Sequence, residues 1–511
     1  MTFPDALSVG LVFWTSIGVA LGVVVGCVPG LTGAMVIALT LPLTFGMSGH
    51  DALALLVAIY VGSVSGGLIS ATLLNIPGTP ASLMTTLDGY PMAASGRPRR
   101  ALVLGVVASL FGGLFSWGVL ALLAQPLAIW STSIGPADLF ALVVLALVLI
   151  AVISRDSLLA GLFSGSLGIL CAMPGMHPAS GQVRLTFGLN ELSDGFRLLP
   201  VLIGLFAVSQ LLRDVAGIRH QKPDTSTDNQ DSESAVAAPI TDLPSAANSD
   251  QRLTLAEWLK AWGNLLRSSV IGTFVGILPG VGANIGSILA YAAARSQSRH
   301  PEAFGTGSEE GIIASEAANN ATVGGALIPL VSLGIPGSVI DAILLGAFVI
   351  HGLQPGPLLF QNNPDVVYTI SAGYLLANLL MCGFMLLTAR WLVRLTQIPK
   401  GLLIPVLFVF CVLGSYALAN RMFDVWVMLG FGGLGLLFHR LSIPAAPFVI
   451  GFVLSPIAEE NLCAALMSSG GSWSVLVTSP PAAVLLIASA ATLLLVAWQN
   501  AKQNARATIN P

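Results

Sequence analysis

No lysine or arginine occurs before Arg97, and none occurs between Arg299 and Arg390. Such stretches cannot clothe a water-soluble fold, in which about a quarter of residues are charged. Only 9% of the 511 residues are charged and 55% are hydrophobic. Ordinary cytosolic enzymes, nucleic-acid binders and disordered chains are excluded on that ground. A polytopic helical membrane protein remains, lying in the lipid bilayer. At ~20 residues per spanning helix there is room for about a dozen crossings plus loops. The net charge of −3 points to no class of partner. Cys27, Cys171, Cys382, Cys411 and Cys463 form no CxxC pair and read as small apolar filler. The apolar stretch 7–28 lacks the basic flank of a signal peptide.

Cytoplasmic loops are enriched in Lys and Arg. Arg97, Arg99 and Arg100 therefore lie inside. Arg155 returns inside after the apolar runs 101–127 and 136–154. The runs 156–173 and 198–212 lead out and back to Arg213, Arg219 and Lys222. The loop 174–197 lies outside, although it carries Arg184 and Arg197. Residues 214–252 are rich in Asp, Ser, Ala, Asn and Gln and cannot offset the entropy of folding. They predict a flexible cytoplasmic linker between a first transmembrane repeat, 1–213, and a second, 253–511. Residues 255–266, with Trp258, Lys260 and Trp262, predict a short amphipathic segment at the interface.

The repeat is visible in glycine and proline spacing. Gly22, Gly26, Pro29 and Gly30 recur 250 residues later as Gly272, Gly276, Pro279 and Gly280. Downstream, Gly66-Gly67 and Asn75-Ile-Pro77-Gly78-Thr79 mirror Gly324-Gly325 and Gly334-Ile-Pro336-Gly337-Ser338, with one residue of slippage. The corresponding loops carry opposite charge. Residues 45–51 have no basic side chain, whereas Arg295 and Arg299 follow the matching block. Arg97, Arg99 and Arg100 follow the second block of the first repeat, whose counterpart is free of Lys and Arg. Opposite bias means opposite orientation, so the expectation is an all-α fold of two inverted-topology repeats, an arrangement found in transporters. Residues 268–294 must start inside, after Arg267, and end inside, before Arg295. Twenty-seven residues are too few for two spans. A re-entrant hairpin follows, with Pro279-Gly280 at its tip. The first repeat should hold the same hairpin with Pro29-Gly30 at the tip, and each repeat a second, broken helix.

Four Pro-Gly breaks inside apolar segments leave backbone N–H groups open at helix N-termini, which bind anions. Thr32, Asn75, Thr79, Asn284, Ser287 and Ser338 stand beside them. A cavity between the breaks could hold carboxylates without buried arginines. Packing and kinking by Pro and Gly is the competing reading. Glu316, Asn319 and Asn320 share one helix face and suit a coupling Na⁺ or a proton. Glu309 and Glu310 read as solvated loop acids. Asp88, Asp341, Asp424, Glu459 and Glu460 each read as loop or helix-end residues rather than relays. The six histidines show no ligand spacing, and no metal or cofactor site is expected. No hydrolase motif occurs. Gly46-Met-Ser48-Gly49, followed by His50, offers a remote intramembrane-protease reading.

Several of these motifs together resemble the large membrane subunit (TctA) of the tripartite tricarboxylate transporters. They are Gly26-Cys-Val-Pro-Gly-Leu-Thr-Gly33, Leu39-Thr-Leu-Pro-Leu-Thr-Phe-Gly46, Asn75-Ile-Pro-Gly-Thr-Pro80 and Asp88-Gly-Tyr-Pro91. The second half adds Leu278-Pro-Gly-Val-Gly-Ala-Asn284, Ser315-Glu-Ala-Ala-Asn-Asn-Ala321, Gly334-Ile-Pro-Gly-Ser338 and Gly352-Leu-Gln-Pro-Gly-Pro357. The resemblance spans nearly the whole chain outside 214–252. It implies a multi-pass bacterial inner-membrane secondary transporter of di- and tricarboxylates, not an enzyme. It also implies cation coupling, a small four-helix membrane partner and a periplasmic solute-binding protein. A departure is Met173-Pro-Gly-Met-His177-Pro178, where the family more often has an acid before the proline. A channel-like or purely structural membrane subunit is the alternative.

Overall fold

A computed structural model describes residues 8–28, 31–131, 133–153, 158–177, 180–220, 253–279, 282–395, 400–417 and 420–509. Pro29, Gly30, Gly280, Arg155 and most of the linker, 221–252, lie outside the described residues. The first half runs α1 (Val9–Cys27), α2 (Gly33–Thr40), α3 (Gly49–Leu74), α4 (Leu83–Ala94), α5 (Pro98–Ser131), α6 (Pro136–Ile153) and α7 (Leu158–Ala172). A small antiparallel pair, β1 (Gly175–Met176) with β2 (Val183–Arg184), follows. Then α8 (Leu198–Leu202) passes through a π-helical stretch, Ile203–Val208, into α9 (Ser209–His220). The second half runs α10 (Leu255–Ile277), α11 (Gly282–Gln297), α12 (Glu309–Leu333), α13 (Val339–Ile350), α14 (Pro357–Asn362) and α15 (Pro364–Leu395). It closes with α16 (Lys400–Ala417), α17 (Met422–Arg440), α18 (Ala445–Ser468), α19 (Val475–Thr478) and α20 (Pro480–Ile509).

The chain is an all-α polytopic membrane protein. Among the described residues, seven helices are long and apolar enough to cross a bilayer: α1, α3, α5, the segment 198–216, α15, α17 and α18. Six further apolar stretches of 10–17 described residues lie at 33–46, in α6, in α7, in α13, in α16 and in α20. Two boundaries differ from the sequence reading. Helix α9 continues to His220, past residue 214. Residues 255–266 are no separate interfacial helix but the first half of α10. Their polar groups find protein partners: Asn264 Nδ2 donates to the Glu310 carbonyl at 2.9 Å, and Glu257 pairs with Arg100 at 2.6 Å.

Glycines set the helix spacing. A Cβ on Gly22 or Gly26 would stand 2.5 and 2.2 Å from the carbonyl oxygens of Ile59 and Ser63 on α3. On Gly272 or Gly276 it would stand 2.3 and 2.4 Å from those of Ala318 and Thr322 on α12. Small residues that let helix backbones touch are the usual device in membranes. From the facing side, Gly66 abuts the Val23 carbonyl and Gly325 the Thr273 carbonyl. These contacts pair Gly66 with Gly325, not with Gly324, so the one-residue slippage disappears. Asn75 pairs with Gly334, and both end their helices in the left-handed conformation, at φ 57° and 70°.

The two halves interlock reciprocally. Helix α1 packs on α3 of its own half and on α15 of the other, while α10 packs on α12 and on α5. Helix α2 meets α13, and α11 meets α4. Helices α3 (Ala52 to Leu73) and α12 (Gly311 to Ser332) are buried on every face. They form the centre from which the short helices start.

Candidate functional site

Helix starts meet in two pairs, each drawn from opposite halves. In the first, α2 begins beside α13. Thr32 accepts the Met35 N–H at 3.2 Å and caps α2. Ser338 accepts the Asp341 N–H at 3.3 Å and caps α13. Each cap satisfies one first-turn N–H and leaves others without an intrahelical partner. Helix α3 joins the two. The Tyr60 hydroxyl bonds Ser338 Oγ at 3.2 Å, and a Cβ on Gly33 would stand 2.3 Å from Ser63 Oγ and 3.2 Å from Ile340 Cδ1.

In the second pair, α11 packs on the 3₁₀ turn Pro80–Ser82 and on α4. Ser82 Oγ accepts from the Thr79 N–H at 3.2 Å and donates to the Thr79 carbonyl at 2.8 Å. Thr79 Oγ1 is buried without a hydrogen-bond partner. Asn284 is exposed in the first turn of α11, and Asn75 is exposed at the end of α3. Ser287 is taken up by packing, donating to the Ser315 carbonyl at 3.2 Å.

The breaks themselves divide between packing and access. Gly78 is buried, with space for no Cβ because the Gly26 carbonyl would lie 2.3 Å away. Gly337 is buried against the Gly276 carbonyl at 2.9 Å, and Pro336 is buried with it. Pro77 and Pro279 are half-buried. Gly78 and Gly337 therefore serve packing against α1 and α10. What they present to a ligand is backbone.

A third constellation lies along α12. Glu316, Asn319 and Asn320 are at most 1% exposed and share one face. Glu316 accepts from Thr85 Oγ1 at 2.5 Å and Ser109 Oγ at 3.0 Å. Asn320 Oδ1 accepts from Ser65 Oγ at 2.9 Å, and Asn319 Nδ2 donates to the Val64 carbonyl at 3.3 Å. Asn319 Oδ1 and Asn320 Nδ2 have no partner. Tyr374 adds a link from α15, bonding the Asn320 carbonyl at 3.2 Å and Ser116 at 2.9 Å. The sequence reading missed Tyr60, Thr85, Ser109 and Tyr374. Isolated hydroxyls in apolar helices carry no local signal; only the pairing of helices exposes them.

Other acids are structural. Asp88 accepts from Tyr291 at 2.8 Å and from the Gly305, Gly307 and Ser308 N–H groups at 2.8–3.0 Å, tying the start of α12. Glu309 is not a free solvated acid. Arg100 holds it in a two-pronged pair at 2.6 and 3.1 Å. Arg184, in the loop 174–197, clamps Glu459 of α18 with two bonds of 2.6 Å, and His177 Nε2 lies 3.4 Å from the same carboxylate. Ser48 caps α3 and donates to Asp51 Oδ2 at 2.8 Å, while the His50 ring bonds Asp365 at 2.7 Å. No serine–histidine dyad forms there. Among the described residues no group of three His, Cys, Asp or Glu side chains is placed to hold a metal ion.

This arrangement of glycine-packed central helices and paired broken-helix starts coincides with a recognised sequence family. The Tripartite tricarboxylate transporter TctA family matches residues 12–450. The chain belongs to the TctA family. It is 35% identical over 476 residues to a protein of Agrobacterium vitis, covering 93% of this chain and 91% of the relative. That relative is described as an uncharacterized 52.8 kDa protein in the TAR-I ttuC' 3' region. A second A. vitis protein, described as uncharacterized in the TAR-II ttuC' 3' region, is 38% identical over 207 residues, 40% of this chain and 85% of its own length. No solved structure matches the chain significantly. As a TctA protein it is a multi-pass membrane subunit of a tricarboxylate transporter.

Proposed function

We propose that this TctA subunit imports di- or tricarboxylates across the bacterial inner membrane by cation-coupled secondary transport. Substrate is delivered by a periplasmic binding protein, and a small four-helix subunit accompanies the chain in the membrane. One observation carries this reading: helix N-termini from the two halves meet in pairs, at α11 with Pro80–Ser82 and at α2 with α13. Such ends attract anions without a buried arginine. The α11 pair offers Asn75, Thr79 and Asn284, and Asp88 on α4 is taken up by the start of α12. That pair is where a substrate carboxylate would bind. The α2 pair, with Thr32 and Ser338, carries the buried acid Asp341 and suits a carboxylate only with a cation beside it. Asn319 and Asn320, with one open acceptor and one open donor, and Glu316 beside them would shape a site for Na⁺ or H⁺.

The reciprocal contacts of α2 with α13 and α11 with α4 support a two-fold relation between the halves. Opposite loop charge makes that relation an inverted one. Helices α10 and α11 pack on each other across the Pro279 break, as arms of a re-entrant hairpin would.

The test is uptake of labelled citrate by proteoliposomes holding the chain and its membrane partner. Uptake is expected only with the binding protein outside and an inward cation gradient. Uptake without the binding protein would make the protein a channel, and no flux under any condition would leave it a structural subunit. Ser48→Ala is expected to transport normally.

A further inference from the structure

Among the described residues, five acidic side chains are at most 6% exposed: Asp88, Asp138, Glu316, Asp341 and Asp424. Four of them have hydrogen-bond donors. Asp88 has four, Asp138 is bonded by Ser479 and by the Ala482 and Gly135 N–H groups, and Glu316 has two hydroxyls. Asp424 is bonded by Arg421 at 3.1 Å. Asp341 is fully buried and neither of its carboxylate oxygens has a partner. The first turn of α13 offsets part of the cost of this buried carboxylate, and a proton or a cation would offset the rest.

The repeat shows that this acid is not required by the fold. With Asn75 paired to Gly334, the counterpart of Asp341 is Ser82. Ser82 occupies the same turn in the other half and closes it completely through its two bonds to Thr79. In the second half the Asp341 N–H bonds the Ser338 cap, and the donors beside the carboxylate, the Ser338 hydroxyl and first-turn N–H groups, make no well-aligned bond in return. The elements around it supply no countercharge. Helix α13 packs on α2, α3, α8, α12 and α18. Helices α2 and α8 carry no ionisable side chain. Helix α3 brings Tyr60 to the Ser338 cap and has His50 and Asp51 at its far end, where His50 is bonded to Asp365. Helix α12 carries Glu309, Glu310 and Glu316, and α18 carries Glu459, Glu460 and Cys463. None of these is a lysine or an arginine.

We propose that Asp341, with Ser338 and Tyr60, binds an exchangeable monovalent cation, Na⁺ or H⁺, at the start of α13. None of these three residues hydrogen-bonds Asn319 or Asn320. It rests on the transport reading only for its role: a cation here would allow a second substrate carboxylate to approach the α2 and α13 N-termini. Binding itself is independent of that reading.

The experiment is thermal unfolding of the full chain with its membrane partner in detergent. NaCl is compared with choline chloride at pH 8, and pH 5 with pH 8 in choline. A ligand bound only by the folded state raises the midpoint as its concentration passes its Kd. The wild type is expected to respond to Na⁺, or to acid if the cation is a proton. Asp341→Asn is expected to lose that response and to start from a higher midpoint, since an amide carries no charge to neutralise. Tyr60→Phe and Ser338→Ala, which leave the acid in place, should weaken it several-fold, and they carry the test if the asparagine variant does not fold. A full response in Asp341→Asn, or no response in the wild type, overturns the proposal. If the response is present and lost in the variant while no carboxylate uptake occurs, the cation site stands and the transport reading falls.

Discussion

Asn284→Ala is expected to lower carboxylate uptake by about 10- to 100-fold with an unchanged amount of protein in the membrane. The side chain is exposed in the first turn of α11, so its removal leaves no cavity and orphans no partner. A lost hydrogen bond to a charged ligand costs ~1.5–3 kcal/mol, which is that range of fold-change. Asn320→Ala should reduce uptake as strongly for a different reason. It removes the open amide next to Asn319, yet Ser65 Oγ keeps its bond to the Val61 carbonyl at 2.9 Å, so the crossing of α3 and α12 survives. Initial rates against substrate concentration separate the two. Asn284→Ala should act mainly through the apparent affinity for substrate, Asn320→Ala through the cation dependence. Normal uptake by both would remove these residues from the site.

Arg100→Met should give a protein that inserts but is much less stable. Arg100 is 8% exposed and joins three elements: α5, the start of α10 through Glu257 and the start of α12 through Glu309. Glu257 follows the linker closely, so this guanidinium ties the second half to the first. Deleting one partner of a buried ion pair costs ~3–5 kcal/mol. Both acids remain about a third exposed, so the low end applies. A fall of roughly 5 °C in the unfolding midpoint is expected. Arg100→Lys should recover only part of it, because an ammonium cannot reproduce the two-pronged contact with Glu309. Bonds from Thr254 and from Arg100 hold the Glu257 carboxyl down to about 2. A depressed carboxyl stabilises the fold above its ordinary pKa and loses that effect as pH falls toward the lower value. The clamp is therefore intact from pH 5 to 8. A midpoint unchanged by Arg100→Met would show that the two halves do not depend on it.

Much of the fold was legible because membrane helices are constrained by two simple rules, apolar length and small-residue contact. The spacing Gly22/Gly26 and Gly272/Gly276 marked the repeat, and the structure places each of these glycines against a backbone carbonyl. Pro-Gly pairs announced where helices break. The fate of 255–266 was hidden, because an amphipathic stretch looks alike whether its polar face meets water or, as here, Arg100 and Glu310. Asp341 read as an ordinary helix-end acid, since Ser338 three residues earlier predicts a cap. Burial of both oxygens without well-aligned partners distinguishes it from Asp88, which lies within α4 with four donors on its carboxylate. Glu309 was misjudged because its partner Arg100 is 209 residues away in sequence.

The inversion of the two halves is the claim on which the paired helix starts, the hairpins and the anion site all depend. Cysteines placed singly at Ser48 and Ser298, in a chain lacking its five native cysteines, test it with a membrane-impermeant thiol reagent on intact cells. Labelling of the Ser48 position from outside, and of the Ser298 position only after the membrane is opened, is the predicted result. Labelling of both positions from the same side would contradict it.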